Sequence, residues 1–493
     1  MYKDLKNILK HGSVYMFGII LGRIVGFLMI PVYTAYLSTE NYGTLSLLGL
    51  TIDIVATLFG LGMASAVVRT YQKFEDEPSR RKVISSALLG SISVMAVITA
   101  TAMLLSPQLS QLIFSSEEYT GYFRLTFLGM FLASGIEIPM IFLRIKLQSG
   151  KYVGISLIKM VMQLSLNIWF LVGLGLGIYG VLYSTLISST IFALYLTFST
   201  LRKVGIGFDF SKYVEMLRFG MPIIVSDVSS FMLTYSDRYF LNYFADLGTV
   251  GIYSMSYTFG MILSMLINGP FMSVWGTEMF KYGKQEDGKP IFAKVLIYYL
   301  LIALALCLGL SLLTRDVLRI MADESYWSAY KYVALISLSY VLNGALYIAG
   351  AGILLSGKSK YRAYSTSSAM VANIVLNFLL IPTMGAWGAA ISTLASYVVR
   401  LTLDVYFAQQ LYHVTYDIKR VVMLGLLFLV ILVPFSYIRI ENLPLSLLTN
   451  TVAALLFPVL VYFSGVLTPE EKSWVQRFFK SPTSAIKDLR SGA

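Results

Sequence analysis

Two stretches decide the fold of this chain: GIYGVLYSTLIS at 177–188 and GAWGAAISTLAS at 385–396. They lie 208 positions apart, and both glycines, the Ser-Thr-Leu and the final serine match. Three further pairs stay in or near this register: LKHG at 9–12 with LRFG at 217–220, YGTLS at 42–46 with VGIYS at 250–254, and, displaced by 207, SGK at 149–151 with SGK at 356–358. Aligned glycine, serine and lysine landmarks are rare by chance in apolar sequence, so the chain contains a long internal repeat.

The composition excludes a soluble enzyme. Of the 493 residues, 57% are hydrophobic and 13% are charged, whereas soluble domains have about 25% charged residues. A single cysteine, Cys307, cannot form an intramolecular disulfide, and the two histidines, His11 and His413, are too few for a zinc site of the usual kind. We therefore expect no catalytic residue, no cofactor and no metal.

Apolar runs near the bilayer-spanning length predict an all-α integral membrane protein with about fourteen transmembrane helices. We place them near 12–36, 43–68, 83–105, 121–142, 152–174, 178–199, 220–243, 251–275, 291–313, 332–354, 363–381, 386–408, 421–438 and 445–463. Six spans per repeat is an even number, so the two copies have the same orientation in the membrane, as in one class of transporter.

The repeat divides the chain into four predicted parts. An N-terminal six-helix bundle occupies 1–205, and a pseudo-symmetric second bundle occupies 206–415. Two additional transmembrane helices follow at 416–463, and the remaining residues, 464–493, form a cytoplasmic tail. The apolar and basic pattern of the tail is typical of an interfacial helix, although a soluble tail fits the same residues. A site between two such bundles can face either side of the membrane by rocking.

The net charge of +12 follows from topology. With the N-terminus inside, 28 of the 38 Lys and Arg residues fall in cytoplasmic segments and 4 fall outside. This bias follows the positive-inside rule, which places both termini in the cytoplasm. We therefore expect a multi-pass protein of the bacterial cytoplasmic (inner) membrane. Nucleic acid is not an expected partner, because no basic, aromatic-bearing soluble domain is present.

Ionisable residues inside the spans are the candidate functional residues, because each is costly in lipid and therefore faces a cavity or a partner. For Arg23, Asp53, Lys159 and Asp227 we favour a water-filled cleft, and buried structural pairing is the alternative. Adjacent helical residues point about 100° apart, so Asp237 and Arg238 are expected to face different partners. Cations in such a cleft would hold an anionic cargo, and asparagines would bond either sugar hydroxyls or neighbouring helices. The predicted cargo-binding residues are Arg23, Lys159, Arg238, Asn167 and Asn377, and the predicted ion-coupling residues are Asp53, Glu137, Asp227 and Asp237.

Three segments carry a resemblance to a known family: PVYTAYLSTENYGTLSLL at 31–48, SDRYFLNYFADLGTVGIYSMSY at 236–257 and IPTMGAWGAAISTLAS at 381–396. With them the chain resembles the polysaccharide biosynthesis, or oligosaccharide-lipid flippase, family of the multidrug/oligosaccharidyl-lipid/polysaccharide exporter superfamily. The resemblance covers nearly the whole chain. It implies two six-helix bundles around a central cleft, alternating access, and a glycan joined by pyrophosphate to a polyprenol as cargo.

Several alternatives remain open. Within the superfamily they are a lipid II flippase and a multidrug or cation antiporter, although the candidate cleft bases argue against a cationic cargo. From another class comes a membrane glycan polymerase, which would need a longer outer loop than the longest here, of about 18 residues. No nucleotide-binding loop of the G-x-x-x-x-G-K-[ST] kind is present, so we expect coupling to Na⁺ or H⁺. Expected partners are the lipid-linked oligosaccharide, membrane lipid, and a glycan polymerase or assembly machinery.

Overall fold

The computed structural model describes residues 18, 21, 22, 26–60 and 62–480. These residues are nearly all helical, and no strand occurs among them. The first ten helices are α1 Ile30–Tyr36, α2 Thr39–Phe59, α3 Met63–Lys73, α4 Glu77–Leu104, α5 Ser106–Phe114, α6 Thr120–Ile145, α7 Ser149–Ile168, α8 Gly177–Val204, α9 Phe210–Tyr235 and α10 Asp237–Phe244. The next ten are α11 Leu247–Leu263, α12 Gly269–Tyr282, α13 Lys289–Met321, α14 Tyr330–Ala349, α15 Ala351–Leu355, α16 Lys360–Met384, α17 Ala386–Leu411, α18 Ile418–Tyr437, α19 Leu443–Phe463 and α20 Pro469–Lys480.

Eleven helical segments of the described chain are long and apolar enough to cross a membrane. The number rises to twelve if Phe210–Met221 and Ile224–Tyr235, which meet at an angle of 44°, form one bent span. The architecture is therefore all-α and multi-pass, but the expected number of fourteen spans is not confirmed. Of the expected first span, the longest described part is the short apolar helix Gly26–Tyr36. Helix α17 spans 26 residues, yet it is too polar to be counted because it contains serines, threonines, Arg400 and Asp404.

Short polar residues fix where several helices begin. The side chain of Ser38 accepts a hydrogen bond from the Asn41 amide at the start of α2, and Asp76 does the same for Ser79 at the start of α4. Asn442 caps α19, which also has proline in its first turn. Such caps accept hydrogen bonds from backbone amides that have no partner inside the helix. Proline fits the first turn because it has no backbone N–H that would need a partner.

The two copies of the repeat have matching local structure. Helix α2 begins at Thr39 and α11 begins at Leu247, which is 208 residues later. Gly177 and Gly385, also 208 apart, both adopt a φ of +54° at the start of α8 and α17. Residues with a side chain rarely adopt this backbone conformation, which explains why both copies have glycine at this position.

Equivalent residues of the two copies contact one another directly. The hydroxyl oxygens of Ser46 and Ser254 lie 2.8 Å apart, and these are the serines that the repeat aligns. A contact between equivalent residues is the signature of a two-fold relation between surfaces. We call this contact between α2 and α11 the seam, and it comprises Thr39, Gly43, Ser46, Leu247, Gly251 and Ser254.

Two glycines make the seam close. A Cβ atom added to Gly43 would collide with the carbonyl oxygen of Leu247, and one added to Gly251 would collide with that of Thr39. The two collisions are reciprocal, because Thr39 and Leu247 are themselves equivalent in the repeat. Small residues allow helix backbones to approach in this way in membrane proteins. Close backbone approach and a contact between two hydroxyls are thus features of the seam.

The chain forms two compact units. The first comprises the described residues up to Met255, with Met321–Ser328 and Thr366–Ser396. Its core contains a cluster of buried apolar side chains that includes Val67, Ile84 and Leu88. The predicted domain boundaries at 205/206 and 415/416 stay a prediction.

The second unit comprises Ser256–Ile320, Ala329–Ser365 and the described residues from Tyr397 on. One apolar cluster fills it, with Phe292, Cys307 and Phe457 fully buried. The single cysteine is thus a packing residue in the core.

Candidate functional site

A buried polar cluster lies where α9 gives way to α10. The carboxylate of Asp237, 1% exposed, accepts hydrogen bonds at Oδ2 from the hydroxyls of Tyr253 at 2.8 Å and Thr393 at 3.2 Å. These donors come from α11 and α17, so the carboxylate joins the consecutive helices α10 and α11 to α17, which is distant in sequence. We call the group the Asp237 cluster, and it comprises Ser236, Asp237, Arg238, Tyr253, Asn373, Asn377 and Thr393.

Arg238 pairs with its neighbour, and the expectation that the two side chains face different partners is wrong. Its Nη1 lies 3.1 Å from Oδ1 of Asp237, and the side chain is 3% exposed. The helix is interrupted at Ser236, and the long arginine side chain folds back against the ring of Tyr235, with 5.1 Å between the guanidinium carbon and the ring centroid. The 100° rule describes Cβ directions, and a guanidinium reaches far beyond its Cβ.

Two asparagines of α16 complete the cluster. Asn373 accepts at Oδ1 from the Ser236 hydroxyl at 3.0 Å and from Asn377 Nδ2 at 2.9 Å. Both asparagines are 0% exposed. Within the described chain, Oδ1 of Asn377 and Nδ2 of Asn373 have no hydrogen-bond partner. A buried acceptor without a donor is costly, so the Asn377 oxygen is a candidate ligand for a cation or a water molecule.

The chemistry of the Asp237 cluster suits a small hard cation or a proton. It offers carboxylate, hydroxyl and amide oxygens, which are the ligands that hard cations prefer. It also contains one permanent cation, Arg238, beside the one carboxylate. A bound ion or proton at Asp237 would therefore compete with Arg238 for the same oxygen.

Asn167 belongs to a separate hydrogen-bonded group. It is 2% exposed, its Nδ2 donates to the Tyr33 hydroxyl at 2.9 Å, and its Oδ1 accepts from Ser184. These contacts connect α7 with α1 and α8. The residue therefore acts as an interhelical hydrogen-bonding group in this structure, and its predicted role toward the cargo stays a prediction.

The other predicted charges do not meet one another. Asp53, Glu137 and Asp227 are exposed, and Lys159 is half-buried. No ion pair or hydrogen bond between described residues joins these four side chains. Asp53 lies one half-turn from Thr51, whose hydroxyl is 3.0 Å from that of Tyr239. Exposed carboxylates on apolar spans need water, so these faces are candidates for the wall of an aqueous cleft.

Arg23, the predicted principal cargo ligand, lies outside the described residues. Its position and partners, and the predicted alternative of an ion pair with Asp53 or Asp227, stay a prediction.

Four members of the cluster are not among the predicted site residues. They are Ser236, Asn373, Tyr253 and Thr393, although the last two lie in the repeated segments VGIYS and GAWGAAISTLAS. The sequence signal that marks this cluster is a difference between the two copies of the repeat. The positions of the first copy that are equivalent to Asp237 and Arg238 are Met29 and Ile30. Charges present in only one copy of a repeat are candidates for function.

Comparison with solved structures identifies the fold. The fold is similar to that of the lipid II flippase MurJ in an inward closed conformation, with a TM-score of 0.74 and 15% identity over 92% of this chain and all of that one. It is also similar to an inward-facing multidrug resistance MATE family transporter, with a TM-score of 0.67 and 16% identity over 79% of this chain and 94% of that one. The protein thus has the fold that these two solved structures share.

Residues 8–276, more than half of the chain, match the family model described as polysaccharide biosynthesis protein. The chain belongs to that family.

Individual relatives are distant. A Shigella flexneri protein named for O-antigen transport is 24% identical over 244 residues, 48% of this chain and 56% of the relative. A Methanocaldococcus jannaschii membrane protein is 24% identical over 258 residues, 50% of this chain and 48% of the relative. The chain thus spans about half the length of these two curated relatives. Agl15 of Haloferax volcanii, named for a flippase role in low-salt glycan biosynthesis, is 18% identical over 82% of this chain and 84% of its own.

Proposed function

We propose that the protein flips a polyprenyl-pyrophosphate-linked oligosaccharide across the cytoplasmic membrane by alternating access, driven by a Na⁺ or H⁺ gradient. The observation that carries the proposal is the seam. Equivalent residues of the two copies meet there through glycines and the hydroxyls of Ser46 and Ser254. We propose that this contact separates when the two repeats rock against each other.

The family supports the cargo. Membership of the polysaccharide biosynthesis family, and relatives named for O-antigen transport and for a glycan flippase, favour a lipid-linked glycan over a drug. Arg23 and Lys159 are the proposed cationic ligands for its pyrophosphate, since a guanidinium matches phosphate oxygens in a bidentate manner. We propose a transporter rather than an enzyme, which would receive cargo from, and deliver it to, glycan assembly machinery.

The Asp237 cluster is the proposed ion-coupling site. It contains a buried carboxylate, Asp237, and its chain neighbour Ser236 is hydrogen-bonded to Asn377, whose amide oxygen has no donor within the described chain. We assign Asn377 to the ion rather than to the cargo, because it is fully buried beside Ser236. Asp53, Glu137 and Asp227 are proposed as further carboxylates along the aqueous path. The membrane potential contributes a free energy of about 2.3 kcal/mol per 100 mV for each elementary charge that crosses the membrane through this path.

Cysteine labelling tests the proposed orientation, with both termini cytoplasmic. Ser38→Cys and Asp246→Cys occupy equivalent positions of the parallel repeat, so an impermeant maleimide added outside intact cells should label both. Gln285→Cys should react only after permeabilisation. The native Cys307 is fully buried and provides no background. Opposite behaviour of Ser38→Cys and Asp246→Cys would indicate an inverted rather than a parallel repeat.

Reconstituted vesicles test transport directly. Lipid-linked oligosaccharide is placed in the leaflet facing the cytoplasmic side of the protein, and its arrival in the other leaflet is followed with a lectin. We expect transport that stops when both the sodium and the proton gradients are collapsed. Lipid II and a fluorescent organic cation serve as competing cargoes. Movement of the cation without movement of any lipid-linked sugar would replace the proposal with an antiporter.

A further inference from the structure

A cavity of about 910 Å³ lies between α3 and the first turns of α9. It lies at the ends of these two helices that face the cytoplasm in the topology predicted from the Lys and Arg distribution. The lining residues that matter here are Arg69, Phe210, Val214, Glu215, Arg218 and Phe219. None of them belongs to the Asp237 cluster or to the predicted cleft residues.

A close backbone crossing places the two arginines on one cavity. Gly62 has a φ of +58°, and a Cβ atom added to it would lie 3.1 Å from the Cα and the carbonyl oxygen of Gly220. Arg69 lies two turns along α3 from this crossing, and its guanidinium carbon is 4.3 Å from the centroid of the Phe219 ring. Stacking of this kind holds a guanidinium flat and leaves its edge available for hydrogen bonding.

The charge in the cavity is uncompensated. Its carboxylate, Glu215, is already bound by Lys73 at 2.7 Å. Lys146 and Lys212, two other bases at this end, also have carboxylate partners, at 3.2 Å and 2.8 Å. The remaining bases of the cavity are the exposed Arg69 and Arg218, and no ion pair or hydrogen bond joins either one to another described residue. Two arginines without a carboxylate partner among the described residues therefore line one cavity.

The wall beside these charges is apolar. Phe210 is 71% exposed at the edge of the cavity, and Val214 and Phe219 continue the surface inward. Aromatic side chains and cations together are typical of the membrane interface, where a ligand has a charged head and an apolar chain. The volume is within the range of small-molecule sites, which is about 300–1,000 Å³.

We propose that the Arg69–Arg218 cavity binds the phosphate or pyrophosphate head of a lipid in the cytoplasmic leaflet, and that this lipid is the cargo before it reaches the cleft. The cargo part of this inference rests on the proposed function. Each guanidinium provides two parallel N–H donors for phosphate oxygens, and the first isoprenoid units would lie against Phe210. A bulk anionic phospholipid carries the same phosphate chemistry, so the test separates the two sources.

Binding is measured with the full-length protein in phosphatidylcholine nanodiscs, titrated with a fluorescent polyprenyl pyrophosphate. Arg69→Gln/Arg218→Gln should raise the dissociation constant at least about tenfold, which corresponds to about 1.4 kcal/mol. The matched control, Arg202→Gln/Lys203→Gln, removes two exposed bases at the end of α8 and should change it less than about twofold. Equal loss in both double variants would overturn the site, because it would indicate general surface charge.

A second variant fills the cavity without altering charge. Val214→Trp should weaken polyprenyl pyrophosphate binding as much as the arginine pair does, while the folded fraction, measured by elution profile and circular dichroism, stays unchanged. Unaltered binding by folded Val214→Trp would overturn the cavity as the site.

The lipid source is decided by replacing a third of the nanodisc lipid with phosphatidylglycerol. We expect no more than about a twofold rise in the apparent dissociation constant of the pyrophosphate probe. Full displacement by phosphatidylglycerol would overturn the cargo assignment in favour of bulk lipid. Failure of the wild-type protein to move lipid-linked oligosaccharide in vesicles would reject the proposed function alone, because the nanodisc experiment measures binding without transport.

Discussion

The two copies of the repeat use the same helices differently at one equivalent place. In the first copy, Met29 and Ile30 are 4% and 2% exposed and form part of an apolar core. In the second copy, Asp237 and Arg238 are 1% and 3% exposed and form an ion pair. Burial is the same, yet the second copy has two charges that each require compensation. The shared fold therefore does not require the charges.

The seam gives the opposite result. Gly43 and Gly251, and Ser46 and Ser254, are the same residues in both copies and make reciprocal contacts. Gly43, Gly251, Ser46 and Ser254 are thus identical in the two copies, whereas the copies differ at the positions of the proposed ion site. The comparison separates residues that bring the two copies into contact from charged residues that only one copy contains.

The largest expected effect comes from locking the seam. In Ser46→Cys/Ser254→Cys the new thiols replace hydroxyls that lie 2.8 Å apart, so oxidation should form a disulfide. Transport of lipid-linked oligosaccharide in vesicles should then stop, and a reductant should restore it. Ser46→Cys alone is the control and should transport in both conditions. Full transport by the cross-linked protein would show that the seam does not open.

The next effect is on stability. Asp237→Ala leaves the Arg238 guanidinium buried without its carboxylate, which should cost about 3–5 kcal/mol of unfolding free energy. Asp237→Met/Arg238→Ile copies the first half of the chain and should recover most of that loss. Thermal unfolding of the purified variants measures both.

The double variant should also lose ion-dependent transport, because the carboxylate is gone. If it is folded and still responds to the sodium and proton gradients, the coupling site lies elsewhere. If Asp237→Ala is as stable as the wild-type protein, the buried ion pair does not contribute to stability. The inference that these charges require compensation, which Met29 and Ile30 do not, would then be wrong.

Hydropathy and the repeat predict most of the fold. Apolar runs locate the long helices because lipid requires every backbone amide to bond within its own helix, and the aligned glycines Gly177 and Gly385 have the same backbone conformation. The count of spans was less predictable. Serines, threonines and charges lower the hydropathy of α17, and α9 bends by 44°.

The candidate site was predictable only in part. Buried charge marked Asp237 and Arg238 from sequence alone, but their contact depends on the interruption at Ser236, where no proline or glycine signals a break. The Arg69–Arg218 cavity was not anticipated, because it depends on which nearby bases are paired, as Lys73 is with Glu215. Pairing between loops and helix ends depends on tertiary geometry, which periodicity does not encode.

The smallest expected effect compares two buried asparagines. Asn167 has both amide groups hydrogen-bonded, to Tyr33 and Ser184, whereas Oδ1 of Asn377 has no donor within the described chain. Asn167→Leu and Asn377→Leu should each lower the unfolding free energy by about 0.6–1.7 kcal/mol, the range for interhelical hydrogen bonds in membranes.

The two variants should differ in their response to the coupling ion. A ligand that binds the folded state stabilises it by an amount that grows with the ratio of the ligand concentration to its dissociation constant. Unfolding temperatures measured across a series of sodium concentrations, and again across pH, should rise as steeply for Asn167→Leu as for the wild-type protein and less steeply for Asn377→Leu. Identical slopes for the two variants would remove Asn377 from the ion site and leave it, like Asn167, as a residue that joins helices.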